Sequence, residues 1–305
     1  MIMTKLKNLS AQTFLKISVI LVLIGRGYQY LFFSAPFMSL YYYVEFLKPY
    51  VEEKTGMLWH DFLSLPEIDN YTQAIIYGIG GLFLITILYI LFLNKKNYRW
   101  FQVPILASGI GLIFLAVLLT ITKNYKLGQF IEYSIQFTSP FLLLSFIKYK
   151  WIQQNLLFIL KLLIALTFVG HGLYAIGYYP VPGYFVDMVI RIFKCSESFA
   201  RTFLTIAGVL DMILAIGLFL PNKSIVKYCL IWAVIWGFST AIARVVGNFY
   251  SDFIMRSLHQ TIYEMAYRLP HGLLPVLGIL LLNKKSNVLE EPSKKNLKTA
   301  SSLEV

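Results

Sequence analysis

The chain has 305 residues, of which 58% are hydrophobic and only 14% are charged, and its mean hydropathy is +0.66. Soluble domains carry about a quarter charged residues, so this composition excludes an ordinary soluble protein and indicates an integral membrane protein. The net charge of +12 is dispersed at the ends of apolar segments, which argues against a nucleic-acid-binding surface. Two cysteines, Cys195 and Cys229, are too few for a disulfide framework.

Apolar segments long enough to cross a bilayer as helices follow one another along the chain. We predict eight, near Phe14–Phe33, Ala74–Leu93, Val103–Ile121, Phe130–Ile147, Leu156–Ile176, Phe203–Leu220, Tyr228–Val246 and Ile262–Leu282. Two long connections, 36–73 and 177–202, start rich in aromatics and proline and then turn amphipathic, which predicts short interfacial helices on the outer surface after helices one and five. The predicted fold class is an all-α integral membrane protein.

The distribution of lysine and arginine predicts the orientation. These residues are more numerous in the tails and connections on the side of both termini than on the opposite side. The positive-inside rule therefore predicts that both termini are cytoplasmic, in a bacterial cytoplasmic membrane. The polar, lysine-rich segment 283–305 is predicted to be a flexible cytoplasmic tail.

The second half of the chain repeats the first. The sequence IEYSIQFTSPFLLL, from Ile131, aligns with YEMAYRLPHGLLPV, from Tyr263. Because each half has an even number of predicted helices, both halves enter the membrane from the same side, and the repeats are parallel rather than inverted. We therefore predict two four-helix repeats, 1–147 and 148–282.

Ionisable residues inside membrane helices are costly, and they mark functional sites or buried ion pairs. Here they lie in the middle or outer half of their helices, which predicts one or two polar cavities open to the outside. The candidate ligand-binding residues are Arg26, Glu132, His171, Asp211, Arg244, Glu264, Arg268 and His271. The alternative is a set of structural ion pairs, for which Glu264 and Arg268, one turn apart, are the best candidates. Arg26 and His171, each between two glycines in the aligned sequences GRGYQY and GHGLYA, are expected to face a ligand.

Two segments of the second half carry a family resemblance: LLIALTFVGHGLYAIG from Leu162, and LTIAGVLDMILAIGLFLPNKSIVKYCLIWAV from Leu204. They resemble the DoxX/DoxD-like membrane proteins, a four-helix group whose first helix typically ends in the His-Gly pair matched by His171 and Gly172. The acid typical of the second helix is matched by Asp211.

The resemblance implies a four-helix fold and several unlike roles. Members are linked to sulfur–quinone redox chemistry, to membrane redox complexes and to non-enzymatic assembly or cargo roles, so the resemblance supports a fold more than an activity. In the first half Arg26 and Leu84 stand where His171 and Asp211 would be, which makes the second half the better candidate for any family function.

Two classes of function fit these residues. The first is a quinone-linked or lipid-modifying enzyme subunit, with arginines holding a polar head and His171 exchanging protons. The sequence contains no CxxC motif, no ligand spacing typical of a zinc site and no phosphate-binding loop. It therefore predicts no catalytic residue and no metal site. A quinone is the possible cofactor. The second, which we prefer, is a non-catalytic assembly, binding or transport component for a lipid, quinone or small anion. The expected partners are membrane lipids and a redox or assembly protein.

Overall fold

A computed structural model describes residues 10–43 and 47–284 of the chain. Every regular element in this part of the chain is a helix, which confirms the all-α prediction there. The helices are α1 (Ala11–Phe32), α2 (Ser39–Tyr43), α3 (Lys48–Thr55), α4 (Trp59–Leu63), α5 (Pro66–Phe92), α6 (Tyr98–Thr122), α7 (Leu127–Glu132), α8 (Ser134–Lys148), α9 (Lys150–Ala175), α10 (Gly183–Phe193), α11 (Glu197–Gly217), α12 (Lys223–Val246), α13 (Ile254–Arg268) and α14 (270–284). Residues 285–305, most of the predicted tail, lie outside the described residues.

Seven stretches of the described chain are long and apolar enough to cross a membrane. They are Ala11–Phe32, Pro66–Phe92, Tyr98–Thr122, Lys150–Ala175, Glu197–Gly217, Lys223–Val246 and Ser251–Lys284. Large apolar side chains such as Leu88, Phe92, Ile213 and Ile216 point away from the protein and are more than half exposed. Exposed apolar surface of this kind is unfavourable in water, and it suggests an integral membrane protein covered by lipid.

The fourth predicted span is not one continuous helix. The structure divides it into the six-residue α7 and the fifteen-residue α8, which are separated at Tyr133 with φ −89° and ψ 7°. The last predicted span is likewise interrupted at Leu269, before α14. Pro270 explains the second interruption, because proline has no backbone N–H to continue the hydrogen-bond ladder. Both interruptions lie beside predicted site residues.

Two predicted boundaries differ from those observed. Helix α5 begins at Pro66 rather than near Ala74, because proline is favoured in the first turn and Glu67 and Asp69 complement the positive helix terminus. Helix α9 begins at Lys150, directly after α8, so most of the stretch between the predicted spans Phe130–Ile147 and Leu156–Ile176 is helical. Short helices α2, α3, α4 and α10 occupy the two long connections, as predicted. The end of the bundle that carries these two connections is called the long-connection end below.

Glycines allow unusually close helix contacts, two of them next to the predicted site residues Arg26 and His171. A Cβ atom on Gly25 of α1 would lie 2.6 Å from the Tyr263 carbonyl oxygen of α13. A Cβ atom on Gly170 of α9 would lie 2.6 Å from the Glu132 nitrogen of α7. Backbones can approach this closely only where no side chain intervenes. The glycines predicted from the sequence to flank Arg26 and His171 therefore serve helix packing.

Replacing Gly170 with alanine is expected to destabilise the fold. The new methyl group would collide with the α7 backbone, and overpacking of this kind costs about 1–3 kcal/mol. Gly78→Ala is the control, because a Cβ atom there meets nothing within 4 Å, and the change should be neutral or stabilise by up to about 1 kcal/mol. Thermal unfolding of the purified variants in one detergent measures both effects, and equal stabilities would contradict the close contact.

Candidate functional site

A buried carboxylate lies at the centre of the polar residues. The side chain of Glu132 is only 4% exposed, and Arg268 Nη2 donates a hydrogen bond to its Oε1 atom over 3.2 Å. His171 Nδ1 lies 3.5 Å from the same oxygen, and Gln129 Nε2 donates to Oε2 over 3.3 Å. A buried carboxylate is stable only with such partners. Glu132 therefore ties α7, α9 and α13 together.

The backbone explains how these groups meet. Glu132 is the last residue of α7, before the interruption at Tyr133. Gly170 brings α9 into contact with the Glu132 backbone, and the next residue, His171, then lies beside the carboxylate. Arg268 is the last residue of α13, before the interruption at Leu269. Two interrupted helices and one glycine contact thus assemble the cluster.

His271 caps a carbonyl that the helix interruption leaves free. In a regular helix the Gly272 N–H would donate to the Arg268 oxygen. Here it donates to the Leu269 oxygen over 3.1 Å, and the Arg268 oxygen lies 2.8 Å from His271 Nδ1. A carbonyl only accepts, so Nδ1 donates and Nε2 of the neutral ring is an acceptor. This Nε2 atom is buried and has no hydrogen-bond partner in the described chain. The ring lies edge-on to that of His171, with centroids 5.7 Å apart.

Arg244 and Glu264 form a looser pair. The Arg244 Nη1 and Glu264 Oε2 atoms are 3.6 Å apart, beyond hydrogen-bond distance, and the Glu264 side chain is 30% exposed. The guanidinium of Arg244 also lies over the ring of Tyr184, 5.1 Å from its centroid. The predicted pair of Glu264 with Arg268 is therefore wrong. Each residue has another partner, because Arg268 reaches the more deeply buried Glu132.

Arg26 has hydrogen-bond partners of its own. It is 2% exposed, and its Nε and Nη2 atoms donate to Gln136 Oε1 over 3.0 and 2.7 Å. Its Nη1 atom donates to Gln29 over 2.6 Å. The guanidinium lies between the rings of Tyr133 and Tyr267, at 5.0 and 3.7 Å. These contacts join α1 to α8 and α13, and they give Arg26 a packing role.

Asp211 is a buried acid on an apolar helix. It is 2% exposed, and its Oδ1 atom has no hydrogen-bond partner within the described residues. A Cβ atom on Gly172, next to His171, would lie 3.2 Å from the Asp211 Cβ atom. Asp211 therefore lies across a close helix contact from His171.

Two cavities border these residues. The first has a volume of about 330 Å³ and is mainly apolar; it is lined by His171, Ala175, Phe185, Met188, Val189, Ile192, Phe193, Phe203, Leu204, Ala207, Asp211, Trp236, Ser239, Thr240, Ile242, Ala243, Arg244, Val246 and Arg268. The second has a volume of about 530 Å³ and is polar; it is lined by Tyr133, Tyr184, Asp187, Met188, Arg191, Arg244, Asn248, Tyr250, Gln260, Thr261, Glu264, Tyr267 and Arg268. They are called the apolar cavity and the polar cavity below. Met188, Arg244 and Arg268 line both, so the two cavities meet there.

The structure brings most of the predicted site residues to these cavities. The residues on a cavity wall are His171, Asp211, Arg244, Glu264 and Arg268. Glu132 and His271 lie behind the wall, in contact with Arg268, while Arg26 lines neither cavity.

Helix α10 supplies wall residues that the sequence interpretation did not single out. Phe185 and Val189 line the apolar cavity, and Asp187 and Arg191, four residues apart, line the polar one. The amphipathic pattern of α10 predicted a helix at an interface. Nothing in that pattern indicated that the interface is a wall of two cavities.

No group of three or more His, Cys, Asp or Glu side chains in residues 10–43 and 47–284 could hold a metal ion. Comparison with protein-family models, with curated proteins and with solved structures finds no match to this chain.

The two glutamates are expected to differ in their contribution to stability. Glu132→Gln would leave the buried charge of Arg268 uncompensated and should lower the free energy of unfolding by about 3 kcal/mol or more. Glu264→Gln removes a longer contact whose acid is 30% exposed, and it should therefore cost less than Glu132→Gln. Thermal or denaturant unfolding in one detergent compares them. A cost for Glu264→Gln that matches that of Glu132→Gln would refute the assigned pairing.

Proposed function

We propose that this protein is an integral membrane protein that binds a membrane amphiphile, with the polar head in the polar cavity and the apolar chain in the apolar cavity. One observation carries the proposal: a polar and an apolar cavity meet at two buried arginines, Arg244 and Arg268. Ligand sites are concave and mainly apolar, with a few polar groups that fix orientation. A molecule with a charged head and an apolar chain matches both cavities together.

The apolar cavity suits a lipid chain. Its walls are aromatic and aliphatic side chains from α10, α11 and α12. Among them Phe193, Ile242 and Val246 are about half exposed on the outer surface of the bundle. The cavity therefore reaches the surface that lipid would cover, and a chain can enter from the bilayer without crossing water.

The arginines suit an oxyanion. Arg244 and Arg268 are 7% and 4% exposed and line both cavities, and the acid paired with Arg244, Glu264, lies beyond hydrogen-bond distance. Arginine donors match phosphate and carboxylate oxygens, and such charge-assisted bonds are strong. His171 and Asp211 add hydrogen-bonding groups to the wall of the apolar cavity, where the polar linkage between head and chain would lie.

The proposed architecture is a parallel duplication of a DoxX-like four-helix unit, 1–147 and 148–282. It has eight membrane helices when α7 with α8, and α13 with α14, are each counted as one. Equivalent contacts in the two halves support it. Gly25 of α1 packs on α13, and Gly170 of α9 packs on α7, so the first helix of each half contacts the last helix of the other. The proposed location is the bacterial cytoplasmic membrane, with both termini in the cytoplasm.

The proposed role is non-catalytic binding, transport or assembly. Three basic groups of the walls already face acids: Arg268 and His171 contact Glu132, and Arg244 faces Glu264. This arrangement favours holding a ligand over chemical attack on it. Such a component would work with membrane lipids and with an assembly or redox protein as partner.

Filling the apolar cavity should abolish lipid binding. Ala243→Phe places an aromatic ring in the cavity and should reduce the lipid that copurifies with the protein at least about ten-fold, since a few lost methylene contacts exceed 1.4 kcal/mol. Val209→Phe is the matched control, because Val209 faces outward on α11 and lines neither cavity. Native mass spectrometry of the purified proteins measures bound lipid. Equal lipid loads in the two variants would refute the site.

A second candidate function is a membrane subunit of a quinone-linked oxidoreductase or a lipid-modifying enzyme. The observation that favours it is the histidine pair: His171 lines the apolar cavity, and behind it His271 Nε2 is an acceptor without a partner in the described chain. Imidazole groups exchange protons near neutral pH. Electrons would have to come from a partner protein or a diffusible quinone.

This second candidate predicts a bound redox ligand. Solvent extraction of the purified protein should then yield a quinone in an amount comparable to the protein, and His171→Ala should reduce that amount several-fold. Lipid without quinone in the extract would leave amphiphile binding as the function.

A further inference from the structure

We propose that the polar cavity is built for a zwitterionic head, a phosphate diester that carries a primary ammonium group, rather than for a simple anion. This inference rests on the proposed function and names the class of ligand. The polar cavity carries both signs of charge: the arginines Arg191, Arg244 and Arg268, and the acids Asp187 and Glu264. Glu132, behind the wall, adds a third negative charge against Arg268.

The positive charges do not form an uncompensated anion site. Arg268 is paired with Glu132 at 3.2 Å, and Arg244 faces Glu264 at 3.6 Å. With these pairs the wall is close to neutral, so it would not attract a free anion by net charge. The Arg244 guanidinium nevertheless remains available to an oxyanion, since it lines both cavities and its paired acid, Glu264, lies beyond hydrogen-bond distance.

The acids are available to a cation. Asp187 is exposed and belongs to none of the ion pairs within the described chain. Glu264 is 30% exposed, and its pair with Arg244 is longer than a hydrogen bond. A ligand ammonium between these carboxylates would gain charge-assisted hydrogen bonds that the protein itself does not make.

The order of the groups follows the order within a phospholipid. The apolar cavity receives the chain, and Arg244 and Arg268 lie at the junction, where the phosphate would be. Asp187 and Glu264 line only the polar cavity, beyond the junction from the chain. The acyl chain, the phosphate and the ammonium of the lipid thus meet the apolar cavity, the arginines and the acids in the same order.

The carboxylates favour a primary ammonium over a quaternary one. A quaternary ammonium has no N–H to donate and is recognised by open aromatic faces. The tyrosines of the polar cavity already face guanidinium groups: Arg26 lies over Tyr133 and Tyr267, Arg191 over Tyr250 and Arg244 over Tyr184. The acids are therefore the better partners for the ligand cation.

The test is a lipid titration of the full-length, delipidated protein. Phosphatidylethanolamine, phosphatidylglycerol and phosphatidylcholine with identical acyl chains are compared by native mass spectrometry in one detergent. The ethanolamine lipid should bind at least about ten-fold more tightly than the other two, a difference of about 1.4 kcal/mol, because only its ammonium donates charge-assisted hydrogen bonds to the carboxylates.

Two variants assign the ammonium site. Asp187→Asn alone, and together with Glu264→Gln, should reduce the preference for phosphatidylethanolamine to about two-fold or less, while phosphatidylglycerol still binds. Asp252→Asn is the control, since Asp252 is an exposed acid at the same end that lines neither cavity. Asp187 makes no ion pair in the described chain, so the single variant should fold like the wild type.

The outcomes separate the two proposals. If the wild-type protein binds none of the three lipids, the proposed function fails and this inference fails with it. If it binds all three equally, or favours phosphatidylglycerol or phosphatidylcholine, the zwitterionic head is refuted while amphiphile binding stands. An ethanolamine preference that survives both variants would refute the assignment to Asp187 and Glu264.

Discussion

The buried carboxylate of Glu132 is the constraint on which the site depends. A charge in this position is costly unless donors surround it, and Arg268, His171 and Gln129 supply them. The pair also fixes Arg268, a donor that lines both cavities and whose Nη2 atom donates to Glu132. A single ion pair between residues far apart in sequence therefore both closes the bundle and orients the donor at the junction of the two cavities.

Backbone features make this pair reachable. The interruption at Tyr133 ends α7 at the glutamate, and the interruption at Leu269 ends α13 at the arginine. Because Gly170 has no side chain, α9 can pack directly against the backbone of α7. Irregular backbone at membrane depth is tolerated where it is buried in protein or lines a cavity. The polar cluster and the interrupted helices thus support each other.

The sequence predicted which residues carry the polar site better than it predicted their partners. Charge in an apolar helix is a local signal, so His171, Asp211 and Arg244 could be found without a structure. Pairing is not local: four-residue spacing favoured Glu264 for Arg268, whereas the observed partner, Glu132, is 136 residues away. The contribution of α10 and the enclosure of Arg26 by tyrosine rings depend on tertiary packing, and no sequence period encodes them.

The position of the polar cavity along the bundle has a consequence for supply. Both cavities border α10, at the long-connection end. The polar cavity also borders the segment after α12, while the apolar cavity extends along α11 and α12 as far as Asp211 and Trp236. An amphiphile with its head in the polar cavity and its chain in the apolar cavity would have the orientation of a lipid in one leaflet only. Occupancy would then follow the composition of that leaflet, and an enzyme that redistributes lipids between leaflets would change it without touching the protein.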